Sequence, residues 1–212
     1  MSMNYKKNET AVVLVDPYNE VLCDGGKVWP RLKEVAESVN LHDNIKQILD
    51  AARRTGIKIF IAPHRRWRPG DVEGWLHPMR AHKALADFRL YAEGSFGGEW
   101  YPDFKPRAGD IVCYEHWGMG GFAHTDLDLL LRQHGIRNVV IIGMTAPGCV
   151  EATGRQAMEL GFSVTLVKDA TAAYTFELMH CAHELSGPLY AESILNTSEL
   201  IEQFDLIQTR ER

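Results

Sequence analysis

No apolar run in this chain approaches the ~18 residues that a membrane-crossing helix needs, so no span is expected. Lysine- and arginine-rich stretches are missing too. The formal net charge of −5 argues against a nucleic-acid partner. The longest basic cluster, His64-Arg65-Arg66-Trp67-Arg68, is read instead as the wall of a pocket. The polar stretch from Met1 to Thr10 lacks an apolar signal core. Cysteines are few and scattered: Cys23, Cys113, Cys149 and Cys181 share no metal-type spacing. A reducing cytoplasm is the simplest compartment for such a set, and Cys113, inside an apolar strand, reads as a core hydrophobe. There is no internal repeat, low-complexity segment or linker. One domain is therefore expected over residues 1–212, with its core at about 11–205.

What is present is an alternation of two periods. Ala11–Val15, Ile57–Ala62, Ile111–Glu115, Val139–Ile142 and Ser163–Val167 are short, β-branched runs of the kind buried on both faces of a parallel sheet, and Ala191–Leu195 is a sixth candidate. Between them lie helical periods: Asn40–Thr55 with Ile45, Ile48, Leu49 and Ala52 on one face, Met79–Phe88, a helix opening at a Thr125/Asp128 capping box, one opening at Cys149, Phe176–Leu185, and a last helix capped by Ser198. Residues after Gln208 read as frayed. Strand alternating with helix predicts a three-layer α/β/α fold around a doubly wound, six-stranded parallel sheet with right-handed crossovers. Ligands of such sheets bind beyond the carboxyl ends of the strands. Asp16, His64, Glu115, Cys149 and Lys168 all fall at that rim.

The rim is organised around Ile141 to Arg155. A buried strand hands over through Gly143-Met144-Thr145-Ala146-Pro147-Gly148 to a helical period that starts at Cys149. A helix start offers unpaired N–H groups and a positive dipole end, which lower a thiol's pKa and stabilise an oxyanion. Cys149 therefore reads as a nucleophile, with the turn from Met144, and chiefly the N–H groups of Thr145 and Cys149, as the oxyanion site. Asp16, left at a strand end by Pro17, is the natural base. His64 and His116 have no partner at metal spacing and read as pocket or capping groups, so no metal and no cofactor are expected. Trp67, Trp75 and Trp117 lie in loops, where tryptophans wall apolar ligand sites. His64, Tyr18 and Phe122 complete the expected substrate wall.

These stretches resemble the isochorismatase-like cysteine hydrolases, a superfamily that includes nicotinamidases, carbamoyl-amide hydrolases and ureidoacrylate-type amidohydrolases. The resemblance runs from about Ala11 to Leu200 and rests on five stretches: the strand ending at Asp16, Gly94-Ser95, Asp110-Ile111-Val112 leading to Phe122–Leu127, Gly143–Arg155, and Val167–Ala170. It implies an Asp–Lys–Cys triad, with Asp16 and Cys149 in two of the places, and a cis peptide at Met144-Thr145. No lysine fills the third place. Counting forward from Asp110 puts Glu115 there, and counting back from Phe122 puts His116. Glu115 is the first choice because it closes the strand; it would then share a proton with Asp16. Ala62, where nicotinamidases are expected to carry a metal-binding carboxylate, argues against that activity, and Cys149 argues against vinyl-ether cleavage of isochorismate. The reading is a hydrolase of a small-molecule amide or related C–N bond, in a homo-oligomer by family habit. The alternatives are a non-hydrolytic binding protein on the same fold, or a hydrolase of an ester, lactam or vinyl ether.

Overall fold

The computed structural model describes residues 5–210, with side chains through Ile207. Six strands, β1 (Thr10–Val15), β2 (Lys58–Ala62), β3 (Ile111–Val112), β4 (Asn138–Met144), β5 (Ser163–Ala172) and β6 (Ser193–Leu195), form one sheet in the order β3-β2-β1-β4-β5-β6. Every pairing is parallel. The helices are α1 (Asn19–Leu22), α2 (Lys33–Ser38), α3 (Leu41–Thr55), α4 (Arg80–Asp87), α5 (Leu127–Gln133), α6 (Glu151–Glu159), α7 (Phe176–His180) and α8 (Thr197–Arg210). Among the described residues no helix is long and apolar enough to cross a membrane.

The layering follows from the period-two alternation of a strand. All six residues of β1 are buried. Val12 and Leu14 enter one core with Ile45, Ile48, Leu49 and Ala52 of α3, whereas Ala11, Val13 and Val15 enter a second core with Leu127 and Leu131 of α5 and Ala157 of α6. The chain winds outward from β1 to β2 and β3, then returns to place β4 on the other side of β1. The crevice at that reversal is where open α/β sheets bind ligands, and it lies between the carboxyl ends of β1 and β4. Gly143 lets the two strands approach there. Its φ is +110°, and a Cβ on it would stand 2.2 Å from the Val15 carbonyl oxygen, a separation no side chain tolerates.

Several expected boundaries shift. The third strand pairs only through Val112, not Glu115. The fifth runs on to Ala172, because its register against β4 slips between Ile141 and Gly143, so Lys168 lies inside the strand and exposed rather than at the rim. Asp169 ties β5 to α8, accepting from the Thr197 backbone N–H and hydroxyl at 2.8 Å each. Asn196, not Ser198, caps α8: its Oδ1 accepts from the Glu199 N–H at 2.9 Å while Glu199 Oε2 accepts from the Asn196 N–H at 2.8 Å. The α8 backbone continues to Arg210; the fraying expected beyond Gln208 otherwise lies outside the described residues.

Candidate active site

Asp16 follows the last residue of β1 with φ at +53°, a left-handed conformation that Asp tolerates better than most residues. Its N–H donates to the Ala62 carbonyl at 3.1 Å, which fixes it to the neighbouring strand. Cys149 sits in the one-turn segment Ala146–Val150 that leads β4 into α6. Thr153, one turn further, donates to the Cys149 carbonyl at 2.6 Å and accepts from the Gly121 N–H at 2.9 Å, locking this turn to the loop after β3. The peptide joining Met144 to Thr145 is cis.

The third member comes from the far side of β2. The Cys113 N–H donates to the Ile61 carbonyl and the His116 N–H to the Pro63 carbonyl, each at 2.9 Å, so three steps on this segment match two on its partner. That is a β-bulge, and a bulge re-aims the side chains beyond it. It holds the extra residue between Cys113 and His116. Glu115 and His116, being adjacent in extended chain, then face opposite ways. His116 is fully buried and its Nε2 lies 3.0 Å from Asp16 Oδ1.

The first choice of Glu115 for the third place is thus corrected. Its carboxylate turns away to Arg66 Nε at 2.5 Å, Arg65 Nη1 at 3.4 Å and the Arg66 N–H at 3.3 Å. Glu115 therefore does not meet Asp16. Asp16, His116 and Cys149 instead bring one donor atom each to within 4.8 Å of one another.

The charge on His116 follows from its contacts. Nδ1 lies 2.8 Å from the Gly118 carbonyl oxygen, which only accepts, and Nε2 faces the Asp16 carboxylate. Both nitrogens must donate, so the ring is an imidazolium paired with a carboxylate. Burial pushes its pKa down, but the Asp16 charge, the hydrogen bonds to Asp16 and Gly118 and the charge of Glu115 reverse this, and the net movement is upward. The site keeps the cation that the family's lysine would bring.

The thiol behaves differently from the sequence expectation. Burial pushes Cys149 well above an ordinary thiol, and both the Asp16 charge and its hydrogen bond add to that; the backbone N–H groups of Cys149 and Thr145 oppose it without winning. Cys149 rests as a thiol beside Asp16. The helix start lowers its pKa less than the interior raises it.

The same three side chains form a mixed carboxylate–imidazole–thiolate set of the kind Zn²⁺ favours. Spacing along the chain gave no sign of it. In the arrangement present, His116 Nε2 lies against Asp16 and the Cys149 thiol holds its proton, so a metal would have to displace protons to bind.

Cys149 opens on a cavity of about 170 Å³ lined also by Asp16, His64, Thr145, Tyr91 and Tyr174, with aliphatic side chains completing the wall. Of the expected substrate wall only His64 is present. Trp117, Arg65, Arg66, Glu115, Trp100 and Tyr18 line a separate pocket of about 440 Å³ on the outer side of the segment. There the Arg65 guanidinium lies 4.5 Å from the Trp117 ring centre, and Trp75 packs on Trp117 at 5.3 Å. Trp67 lies under Arg89, and Phe122 is buried against Phe162 in the second core. Loop tryptophans carry no period that tells which side of a loop they face.

A family model, the Isochorismatase domain, matches residues 10–201. The chain belongs to the isochorismatase family. Its members of known name include the ureidoacrylate amidohydrolase RutB of Rhizobium rhizogenes, 33% identical over 178 residues that cover 78% of this chain and 71% of the relative. The RutB protein of Caulobacter segnis is 30% identical over 174 residues, 76% of this chain and 72% of its own. Among solved structures, N-carbamoylsarcosine amidase from Thermoplasma acidophilum is 25% identical with a TM-score of 0.64, covering 89% of this chain and 96% of that one. A cysteine hydrolase from Pseudomonas syringae pv. phaseolicola shares the fold with a TM-score of 0.81 over 97% of each chain, at 21% identity.

Against this family's pattern, the residues that sequence reasoning missed are Tyr91 and Tyr174 and the aliphatic wall. Tyr91 stacks on His64 at 4.9 Å, with φ at +52°. Its N–H and that of Lys27 donate to the two oxygens of Glu20, at 3.1 and 2.8 Å, which explains why a glutamate is buried there. The signal lay in the Glu20 position, a charge embedded in the apolar Val21-Leu22 helix, but its partner is distant in sequence.

Proposed function

We propose that this protein is a cysteine amidohydrolase that cleaves a non-peptide C–N bond of a small molecule through a thioester on Cys149. The observation that carries this is the meeting of Cys149, Asp16 and His116, one donor atom from each within 4.8 Å of the others, with Asp16 held by His116 Nε2 at 3.0 Å. As the sulfur attacks the carbonyl carbon, its proton passes to Asp16. The N–H groups of Thr145 and Cys149, already beside the sulfur, hold the oxygen that gains negative charge. Asp16 then returns the proton to the nitrogen as the C–N bond breaks, and ammonia or an amine leaves. Water next gives a proton to Asp16 and attacks the thioester; the acid departs and the thiol is restored by that proton. The sum is amide plus water giving acid plus amine. His116 stays charged throughout and offsets the negative charge that develops beside it. The same reading places the enzyme in the cytoplasm, in keeping with four unpaired cysteines, as one domain in a homo-oligomer, the family's habit.

The test is a panel of small amides, ureas and esters followed by product release, with rapid-quench mass spectrometry of the Cys149 peptide. At least one compound should turn over and leave on Cys149 an adduct equal to the substrate less its leaving amine or alcohol. A blank panel with no adduct would favour a binding protein on the same fold.

The third member's identity has its own signature. Because His116 is raised and must be charged, kcat/KM should fall with rising pH along a limb above the ordinary imidazole value of about 6.5. H116K should carry that limb to higher pH, while E115Q, which removes a remote charge that helps raise His116, should move it only slightly down. A limb that follows Glu115 and ignores position 116 would return the role to the carboxylate.

A further inference from the structure

The cavity over Cys149 has a composition that discriminates between ligands. The apolar part of its wall is Val28, Ala81, Ala84, Leu85, Leu90 and Met119, of which Ala81, Ala84 and Leu85 form one face of α4. Among the described residues no lysine or arginine lines it. Arg31 rests on the Tyr174 ring at 4.6 Å but is exposed and takes no part in the wall. The one carboxylate present, Asp16, is committed to His116 and Cys149. A ligand bearing its own carboxylate would lose its water there and meet only the hydroxyls of Thr145, Tyr91 and Tyr174, with no cation to balance its charge, which proteins avoid.

Of the polar groups in the wall, the His64 ring is one that can only accept from a ligand. His64 Nδ1 lies 3.0 Å from the Arg65 carbonyl oxygen, an acceptor, so that nitrogen holds the ring proton. Burial keeps the ring neutral, pushing its pKa down. Nε2 is therefore a bare lone pair. Among the described residues none donates to it, and His64 lines the cavity. A lone pair in an apolar wall selects for a ligand N–H.

Resting on the cysteine-hydrolase reading, we infer that the substrate is a small, non-acidic amide or urea with a compact aliphatic body, and that His64 Nε2 accepts one of its N–H bonds. Ureidoacrylate, which ends in a carboxylate, does not suit this cavity. His64 sets specificity here, since in a simple amide the N–H that it accepts belongs to the nitrogen of the C–N bond and marks which amides seat over Cys149.

Binding is read apart from turnover, as protection of Cys149 against iodoacetamide measured by mass spectrometry of its peptide. Butyramide should protect at concentrations about 30-fold lower than succinamate, which has the same chain length and ends in a carboxylate. A84R, which sets a cation in the α4 wall, should narrow that gap at least about tenfold. H64L should weaken protection by butyramide about tenfold and leave N,N-dimethylbutyramide, which has no N–H, unaffected. Equal or better protection by succinamate in the native protein, failure of all these amides to protect, or equal loss for both amides in H64L would overturn the inference. If the protection order holds while no amide forms an adduct on Cys149, the hydrolase reading fails and the ligand class stands. If adducts form and the order reverses, only the ligand class fails.

Discussion

C149S is expected to lower kcat/KM at least about 10⁴-fold on any substrate the native enzyme turns over, the loss typical of removing a nucleophile from a group of residues that act together. Serine is the informative replacement because it keeps the size of the side chain and a proton to donate to Asp16. It should lower the melting temperature only slightly, since a single buried atom changes and the proton facing Asp16 is kept. What it loses is a sulfur that can carry negative charge as its proton moves to a carboxylate. The native thiol is raised well above its ordinary value by burial and by Asp16, so little thiolate stands ready and attack depends on transfer to Asp16 as the C–S bond forms. An alcohol at the same place has a proton still harder to remove. A serine variant within tenfold of the native rate would show that the bond is broken by another group.

D16N should be almost as damaging, with kcat falling at least about 10³-fold, because it removes the proton acceptor and leaving-group donor together. The amide is nearly isosteric, and asparagine suits a left-handed φ of +53° as well as aspartate does, so the fold should persist. Two further changes separate loss of the base from general damage. Burial, the largest influence on His116, pushes its pKa down and is opposed chiefly by Asp16; with the charge gone the ring should be neutral near pH 7, and the alkaline limb of any residual activity should vanish. The thiol should move the other way. Asp16 raises Cys149 both by its charge and by its hydrogen bond, so D16N should lower the pH midpoint for alkylation of Cys149 while turnover collapses. Parallel loss of turnover and of alkylation would mean that Asp16 serves only to hold the turn in shape.

The contrast between the two kinds of information is clearest at the third residue of the triad. Position along the chain is compatible with Glu115 and with His116, since one inserted residue somewhere between Asp110 and Phe122 satisfies either count. Hydrogen bonding places the insertion before His116, as a bulge against β2, and the alternation of an extended chain then sends Glu115 out to Arg65 and Arg66. The electrostatics reverse with it, from two carboxylates sharing a proton to an ion pair. The pocket walls show the same limit. Tyr91 and Tyr174 reach the cavity from a loop and from the end of β5, and the tryptophans that were better candidates by composition turn to the outer face.

By itself the sequence determined the sheet, its winding and the meeting of Asp16 with Cys149, because buried parallel strands need continuous apolar runs and a doubly wound sheet gathers the ends of its central strands in one crevice. Only the tertiary structure decided which residue supplies the cation, how strongly the interior holds the proton on sulfur, and which side chains surround the ligand. Those depend on a single-residue register shift, on desolvation and on loop orientation, and none of the three leaves a periodic trace in the order of the amino acids.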